Sequence, residues 1–211
     1  MNQKRIGIIG GTFDPIHIGH LILAQSAYEQ LGLDKVLFIP AGRPPHKRNR
    51  SGATDEQRVE MVRLAIETDP HFELSLIEMG IDGYSYTYLT LEKLSVIYEG
   101  CVLYFIIGQD SLETFESWYK PEEIVKHAVI VAADRPDCDQ SAMEALLLRN
   151  RQKFGSEFVG ISCPDIQISS HELRKKIEEG GCFRYLVPDP VYHFIEKNRV
   201  YRPEERKEQH G

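Results

Sequence analysis

Three features of the sequence predict an α/β fold built on a doubly wound parallel sheet of about five strands. Short runs rich in Ile, Val, Leu and Phe alternate with longer segments of helical periodicity. Loops containing glycine or proline separate them. Near-continuous apolar runs are typical of parallel strands, since helices cover both faces of such a sheet. The predicted architecture is therefore Rossmann-like, with a small helical part at the C-terminus.

The predicted elements follow one another in a regular order. Strands are expected at 5–9, 35–39, 72–76, 102–107 and 128–132 because these runs are apolar and rich in β-branched residues. Helices between them are expected at 21–31, 56–67, 87–98 and about 112–125, where apolar residues recur at helical spacing. After Val159 the alternation changes to a short strand and two helices, at about 170–179 and 190–197. We therefore predict one domain over 1–200 and a polar tail at 201–211.

Composition narrows the class of protein. The chain has 211 residues and a formal net charge of −7, which argues against a broad nucleic-acid-binding face. No apolar run approaches the roughly 18 residues that a membrane span needs, and the first segment lacks a cleavage site for a signal peptide. The four cysteines are widely separated and form no CxxC pair, which favours a reducing compartment. We expect a cytoplasmic protein without membrane or nucleic-acid partners.

The unusual residues fall in loops that follow strands. Ligands of open α/β sheets bind beyond the C-terminal ends of the strands, near the point where strand order reverses. The loops that start at Gly10, Pro40, Gly108 and Ala133 should therefore line one crevice. An anionic ligand there would need a local basic site, because the overall charge of the chain is negative.

The stretch "GGTFDPIHIGH" at 10–20 is the first candidate site. Gly10 and Gly11 allow a sharp turn and a close approach of ligand to backbone, and a helix is expected to begin near Ile18. His17 and His20 share one face of its first turn and can donate hydrogen bonds to phosphate oxygens. Alternatively, the glycines form only a tight turn with two half-buried histidines beside it. A metal pair is disfavoured because no carboxylate or cysteine accompanies the histidines at motif distance, and GxGxxG and GxxxxGK[ST] are both absent.

The loop "RPPHKRNR" collects basic residues in an acidic protein. Its prolines lower the entropy cost of holding a cation near a phosphate, so a functional role is favoured for His46 and Lys47. For Arg48 and Arg50, a phosphate contact and a merely solvated loop are equally compatible with the sequence.

Two later segments carry candidate ligand contacts. "FIIGQDSLETFESWY" ends a strand at Gly108, after which Asp110 suits ribose hydroxyls or a helix N-cap, and Trp118 suits a planar base or the core. In "ISSHELRKKIEEGG", Ser169 and Glu172 form a capping-box pattern. The serine hydroxyls and Arg174 could also grip a polyphosphate, although spacing alone favours capping.

In order, these motifs resemble the HxGH nucleotidyltransferase superfamily, and specifically its bacterial nicotinate-nucleotide adenylyltransferases. The resemblance spans nearly the whole chain and rests on the ordered set rather than on any one motif. Its members are "GGTFDPIHIGHL", "PAGRPPHK", "SYTYLTLE", "FIIGQDSL", "WYK", "DRP", "ISSHELR" and "RYLVPDPV".

The resemblance implies an enzyme of NAD biosynthesis. It would join nicotinate mononucleotide and ATP, with Mg²⁺, to give nicotinate adenine dinucleotide and pyrophosphate, without a covalent intermediate. The implied catalytic residues are His17, His20, Lys47 and Arg174. The implied ATP contacts are Gly10, Gly11, Thr12, Phe13, His17, His20, Gly108, Asp110, Ser169, Ser170 and Arg174. The implied contacts to the mononucleotide are Asp14, His46, Lys47, Thr87, Trp118, Tyr119 and Arg135, and no residue is expected to bind a metal directly.

Two positions depart from the family pattern. Leu89 stands where the family usually has Asp, and His171 stands where it usually has Thr or Ser. Two alternative functions stay open: the same transfer to nicotinamide mononucleotide or another phosphorylated acceptor, and a nucleotide-binding module without catalysis. A homodimer is open as well as a monomer.

Overall fold

In the computed structural model, which describes residues 3–42, 52–81, 83–134, 140–164 and 166–202, six parallel strands form one sheet. The strands are β1 (Arg5–Gly11), β2 (Lys35–Pro40), β3 (Phe72–Leu74), β4 (Val102–Gly108), β5 (Val129–Asp134) and β6 (Phe158–Ser162). Their order is β3-β2-β1-β4-β5-β6, so the strand order reverses between β1 and β4. The predicted α/β fold is confirmed, and a sixth strand extends the expected sheet of about five.

The helices of the described chain are distributed along the whole sequence. They are α1 (Ile18–Leu31), α2 (Asp55–Ile66), α3 (Thr87–Ile97), α4 (Gln109–Glu113), α5 (Pro121–His127), α6 (Gln140–Phe154), α7 (Ser170–Glu178) and α8 (Asp189–Asn198). Short 3₁₀ turns lie at Phe115–Ser117 and Arg184–Leu186. None of the helices in these ranges is both long and apolar enough to cross a membrane.

The apolar pattern predicts one helix at about 112–125, and this prediction is wrong. The structure has α4, a 3₁₀ turn and α5 in its place. Pro121 is the reason, because it lacks an N–H and fixes its own φ, which suits the first position of a new helix. Lys120 before it takes the left-handed conformation, with φ of 55°. The sequence analysis also missed α6.

Two apolar clusters cover the two faces of the sheet. One joins Ile9 of β1 to residues of α1, α2, α7 and α8, and the other joins Ile6 and Ile8 to residues of α3, α5 and α6. Alternate residues of a strand point to opposite faces, so β1 contributes to both clusters. The C-terminal end of β1, at the reversal of strand order, is therefore a fixed point between two packed layers.

We expect Phe158→Ala to lower the free energy of unfolding by about 3–5 kcal/mol. Phe158 is fully buried, and its ring lies edge-on to Phe115 at 5.6 Å and stacked on Phe154 at 6.0 Å. Urea unfolding would measure the loss. Tyr185→Ala is the control, since Tyr185 is 83% exposed, and its midpoint should match wild type. A Phe158→Ala midpoint equal to wild type would contradict the packing described here.

Candidate active site

The loop after β1, which we call the β1 loop (residues 12–17), carries the first histidine. Phe13 adopts a φ of 49°, a conformation that a non-glycine residue takes at a cost. Its ring is buried and lies edge-on to His20, with ring centroids 5.0 Å apart. Burial of the phenyl group therefore holds the backbone of the loop in place. Because the ring is buried, the ATP contact that the resemblance implies for Phe13 would be made by its main chain.

His17 and His20 lie ring against ring, tilted to each other, at the start of α1. Their ring centroids lie 3.8 Å apart at an interplanar angle of 31°. The backbone N–H of His17 donates to Nδ1 of His20 over 3.2 Å. Because Nδ1 of His20 accepts this bond, a neutral His20 carries its proton on Nε2. Its Nε2–H is then the donor left for a ligand.

Both histidines are neutral at physiological pH. Burial lowers the pKa of His17 to about 4. Burial, followed by the proximity of His17, lowers the pKa of His20 well below its usual 6.5. The pair can therefore donate hydrogen bonds to an anion. Any positive charge that faces the anion must come from other side chains.

Helix α7 packs its first turn against the β1 loop. Ser169 caps the helix by accepting a bond from the N–H of Glu172, which confirms the predicted capping role. Ser170 Oγ donates to the carbonyl of Pro15 over 2.9 Å. Arg174 Nη1 donates to the carbonyl of Asp14 over 2.6 Å. Two residues predicted to contact ATP, Ser170 and Arg174, are thus bonded to the loop that leads to the two histidines.

The carboxylate of Asp14 is occupied within the protein. It is 6% exposed and accepts bonds from the N–H of Ala53 at 3.0 Å and from the hydroxyl of Tyr201 at 2.8 Å. Arg174 lies 3.7 Å from its other oxygen. Burial, and then the charge of Asp14, raise the pKa of Tyr201, which therefore remains a donor. The geometry gives Asp14 a structural task, and its contact to the mononucleotide stays a prediction.

Arg58 of α2 is a site residue that the sequence analysis missed. Its side chain is 4% exposed, and it donates to the carbonyl of Thr12 at 2.7 Å and to that of Ala41 at 2.8 Å. It also pairs with Asp55 at 2.9 Å. A signal was present in the sequence: Arg58 stands in register with Met61, Val62 and Ala65 on the apolar face of the helix. Arg58 ties the β1 loop to the end of β2.

A pocket of about 280 Å³ opens beside the β1 loop. Gly10, Gly11 and Thr12 line one part of it, and Thr87, Trp118 and Tyr119 line another. Trp118 is supported by Phe105, edge-on at 6.1 Å. Tyr119 is 56% exposed and packs on Tyr86 at 4.6 Å. The pocket thus brings the start of the β1 loop, which is predicted to contact ATP, together with the residues predicted for the nicotinate ring.

The α3 N-terminus faces this pocket. Tyr86 is the N-cap and makes no side-chain capping bond, and the first turn of α3 contains no acidic residue. The first N–H groups of a helix lack intrahelical partners and carry a partial positive charge. A carboxylate on a ligand would be well placed there. Leu89, which departs from the family pattern, lies half-buried in the same turn.

The remaining predicted residues divide into two groups. Gly108 ends β4 with open space around it, and Asp110 lies exposed in the first turn of α4. His171 is exposed in the first turn of α7. His46, Lys47 and Arg135, together with Arg48 and Arg50, lie outside the described residues. Within the described ranges, His, Cys, Asp and Glu side chains form no group of three that could hold a metal ion.

Comparison with known proteins places this arrangement among nucleotidyltransferases. The cytidylyltransferase-like family model matches residues 8–176. A probable nicotinate-nucleotide adenylyltransferase of Thermoanaerobacter sp. strain X514 is 39% identical over 204 residues, covering 96% of this chain and 97% of its own. One from Synechococcus sp. strain JA-3-3Ab is 41% identical over 199 residues, covering 94% and 95%.

Solved structures agree on the fold. Plasmodium falciparum nicotinic acid mononucleotide adenylyltransferase complexed with NaAD superposes with a TM-score of 0.77 and 21% identity, covering 94% of this chain and 98% of its own. The same enzyme complexed with APC gives a TM-score of 0.75. At this identity the likeness establishes the fold, and the curated relatives establish the family.

We expect Arg58→Met to lower the free energy of unfolding by about 2–4 kcal/mol, because it removes a buried guanidinium that donates to two partly buried carbonyls. The KM for the substrates should rise as well, since both tied segments line the pocket. Urea unfolding and steady-state kinetics would measure these effects. Arg63→Met removes an exposed arginine from the same helix and should match wild type. Equal midpoints for the two variants would refute the role of Arg58.

The buried histidines predict a pH dependence of stability. Below pH 6.5 an unfolded His17 binds a proton that the folded one excludes, so the free energy of unfolding falls between pH 6.5 and about 4. The His17→Asn variant lacks this contribution. The wild-type advantage over it should shrink by on the order of 3 kcal/mol across that range, measured by urea unfolding at each pH. An advantage that does not change with pH would show that His17 titrates normally.

Proposed function

The chain belongs to the cytidylyltransferase-like family, and within it to the nicotinate-nucleotide adenylyltransferases, and we propose that it joins nicotinate mononucleotide to the adenylyl group of ATP. The observation that best supports this function is a crevice that offers two kinds of binding surface. Hydrogen-bond donors of the β1 loop, α1 and α7 suit phosphates, and the adjoining pocket with Trp118 and the α3 N-terminus suits an aromatic acid. The products are nicotinate adenine dinucleotide and pyrophosphate.

The reaction is a direct displacement at the α-phosphorus of ATP. An oxygen of the mononucleotide 5′-phosphate forms the new P–O bond, and the bond to the β-phosphate breaks with loss of pyrophosphate. The protein supplies position and charge stabilisation rather than a nucleophile. In our proposal His20 donates from Nε2–H to a phosphate oxygen, and His17 supports it. Because both rings are neutral, neither has to lose a proton before it donates.

Positive charge comes from Arg174 and, we propose, from Lys47. Arg174 uses Nη1 to hold the loop, and a guanidinium has further N–H donors for the polyphosphate. The described residues on either side of 43–51 lie beside the β1 loop. On one side the N–H of Ala41 donates to the carbonyl of Gly11 over 2.8 Å, and on the other Ala53 is bonded to Asp14. This anchoring supports the assignment of His46 and Lys47 to the substrate phosphate.

The pocket supports the acid form of the mononucleotide. Trp118 offers a flat apolar face to the pyridine ring, and main-chain N–H groups near Thr87 would bind the carboxylate. Tyr119 closes this side, and Arg135 is proposed to add a charge contact.

Enzymes that transfer nucleotidyl groups from ATP generally use a divalent metal ion, which we propose to be Mg²⁺ here. Mg²⁺ in such sites is bound largely through substrate phosphate oxygens, and we propose the same here. There it would neutralise phosphate charge. A cytoplasmic location and a homodimer stay predictions, and light scattering of the purified chain would decide the second.

We expect the wild-type chain to release pyrophosphate only when ATP and nicotinate mononucleotide are both present. His20→Ala should lower kcat by a factor on the order of 10²–10³, because it removes a donor to the charge that develops in the transition state. A coupled pyrophosphate assay would measure both effects, with circular dichroism to verify folding. His193→Ala, which removes an exposed histidine from α8, should keep wild-type kcat.

Two outcomes would separate this function from its alternatives. Equal or higher kcat/KM for nicotinamide mononucleotide at fixed ATP would move the specificity to the amide. Tight ATP binding without turnover on any phosphorylated acceptor would indicate a nucleotide-binding module.

A further inference from the structure

Among the described residues that line the pocket, Glu78 is the one acidic side chain, and nothing in the reaction above uses it. It follows β3 in a turn and is half-buried. Its Oε1 accepts a hydrogen bond from the hydroxyl of Thr90 over 2.6 Å. Thr90 is itself buried in α3 and lines the same pocket. The carboxylate is thus oriented by a fixed partner.

The second oxygen, Oε2, has no hydrogen-bond donor within the described part of the chain. The surrounding wall is largely apolar and includes Ile39, Leu91 and Phe105. A carboxylate that loses water on ligand binding needs a donor in exchange, and each oxygen has capacity for more than one bond. A ligand hydroxyl would meet this need, whereas a ligand carboxylate would be repelled.

The position of Glu78 indicates which hydroxyl this is. Its main-chain carbonyl packs directly on Gly42, where no Cβ would fit, so Glu78 adjoins the segment after β2. On the other side it is bonded to α3 through Thr90. The mononucleotide must extend from the phosphate donors of the β1 loop to Trp118. Glu78 therefore borders this path between the segment after β2 and the first turn of α3, and the ribose is the part of the mononucleotide that joins its phosphate to its ring.

We propose that Glu78 is a specificity-determining residue that accepts a hydrogen bond from a ribose hydroxyl of the mononucleotide. This rests on the proposed function. A ribose hydroxyl bonded to Glu78 and a nicotinate carboxylate bonded to main-chain N–H groups near Thr87 would together fix the orientation of the substrate.

The test compares Glu78→Gln with wild type on nicotinate mononucleotide and on its 2′-deoxy and 3′-deoxy analogues. With the natural substrate, Glu78→Gln should lower kcat/KM by about tenfold, mostly through KM for the mononucleotide, and leave KM for ATP unchanged. Wild type should lose a similar factor on one deoxy analogue. For Glu78→Gln that second loss should shrink to below about twofold, because the two changes remove the same contact.

A matched control is Glu92→Gln, which removes the same charge from an exposed position of α3 and should behave as wild type. Thr90→Val keeps the carboxylate but releases its Oε1, and should raise KM for the mononucleotide less than Glu78→Gln. Thermal unfolding of each variant reports folding. The two deoxy analogues test the contact on wild type itself, even if a variant does not fold.

The inference is overturned if wild type treats both deoxy analogues like the natural substrate. It is also overturned if kcat/KM of Glu78→Gln, relative to wild type, falls by the same factor on all three substrates or does not fall on any of them. In these cases the proposed function still stands, because wild type turns over nicotinate mononucleotide. Absence of turnover by wild type would overturn the proposed function and this inference together.

Discussion

Hydrogen bonds to the main-chain carbonyls of residues 12–15 hold the active site in place. Arg58 reaches Thr12 from α2, Arg174 reaches Asp14 and Ser170 reaches Pro15 from α7. These carbonyls lie beyond the end of β1 and have lost the partners that a sheet provides, so burial requires other donors. The two histidines follow directly in the chain. The segment that precedes them is therefore held by side chains that lie 46 to 160 residues away from the carbonyls they bind.

The sequence predicts the layers of the fold better than it predicts this network. Apolar runs and helical periodicity depend on local order, and they indicated the parallel sheet and most of its helices. They missed the interruption at Pro121, because the apolar pattern continues through Phe115 and Ile124 although the helix does not. A periodic pattern reports burial, and it does not report whether the backbone between buried residues is continuous.

The residues of the site also divide into those that the sequence could predict and those that it could not. Glycines, histidines and the Ser169 cap could be predicted, since their chemistry is local to one motif. Glu78 and Tyr201 could not, because their partners, Thr90 and Asp14, are chosen by tertiary packing. Tyr201 belongs to the segment predicted as a polar tail, yet its hydroxyl is the donor to the Asp14 carboxylate. Arg58 is intermediate: its place on an apolar helix face is visible in the sequence, but its carbonyl partners are not.

The electrostatics of the crevice explain how an acidic protein can bind two anionic substrates. Burial keeps His17 and His20 neutral, so the α1 N-terminus presents donors without the cost of burying two like charges. The α3 N-terminus adds a second set of donors, and its first turn contains no acidic residue. Among the described residues that line the pocket, the acidic side chain is Glu78, which is bonded to Thr90 in the first turn of α3. That bond holds one oxygen of the carboxylate in place and leaves the other to accept from a hydroxyl of the substrate, as we propose.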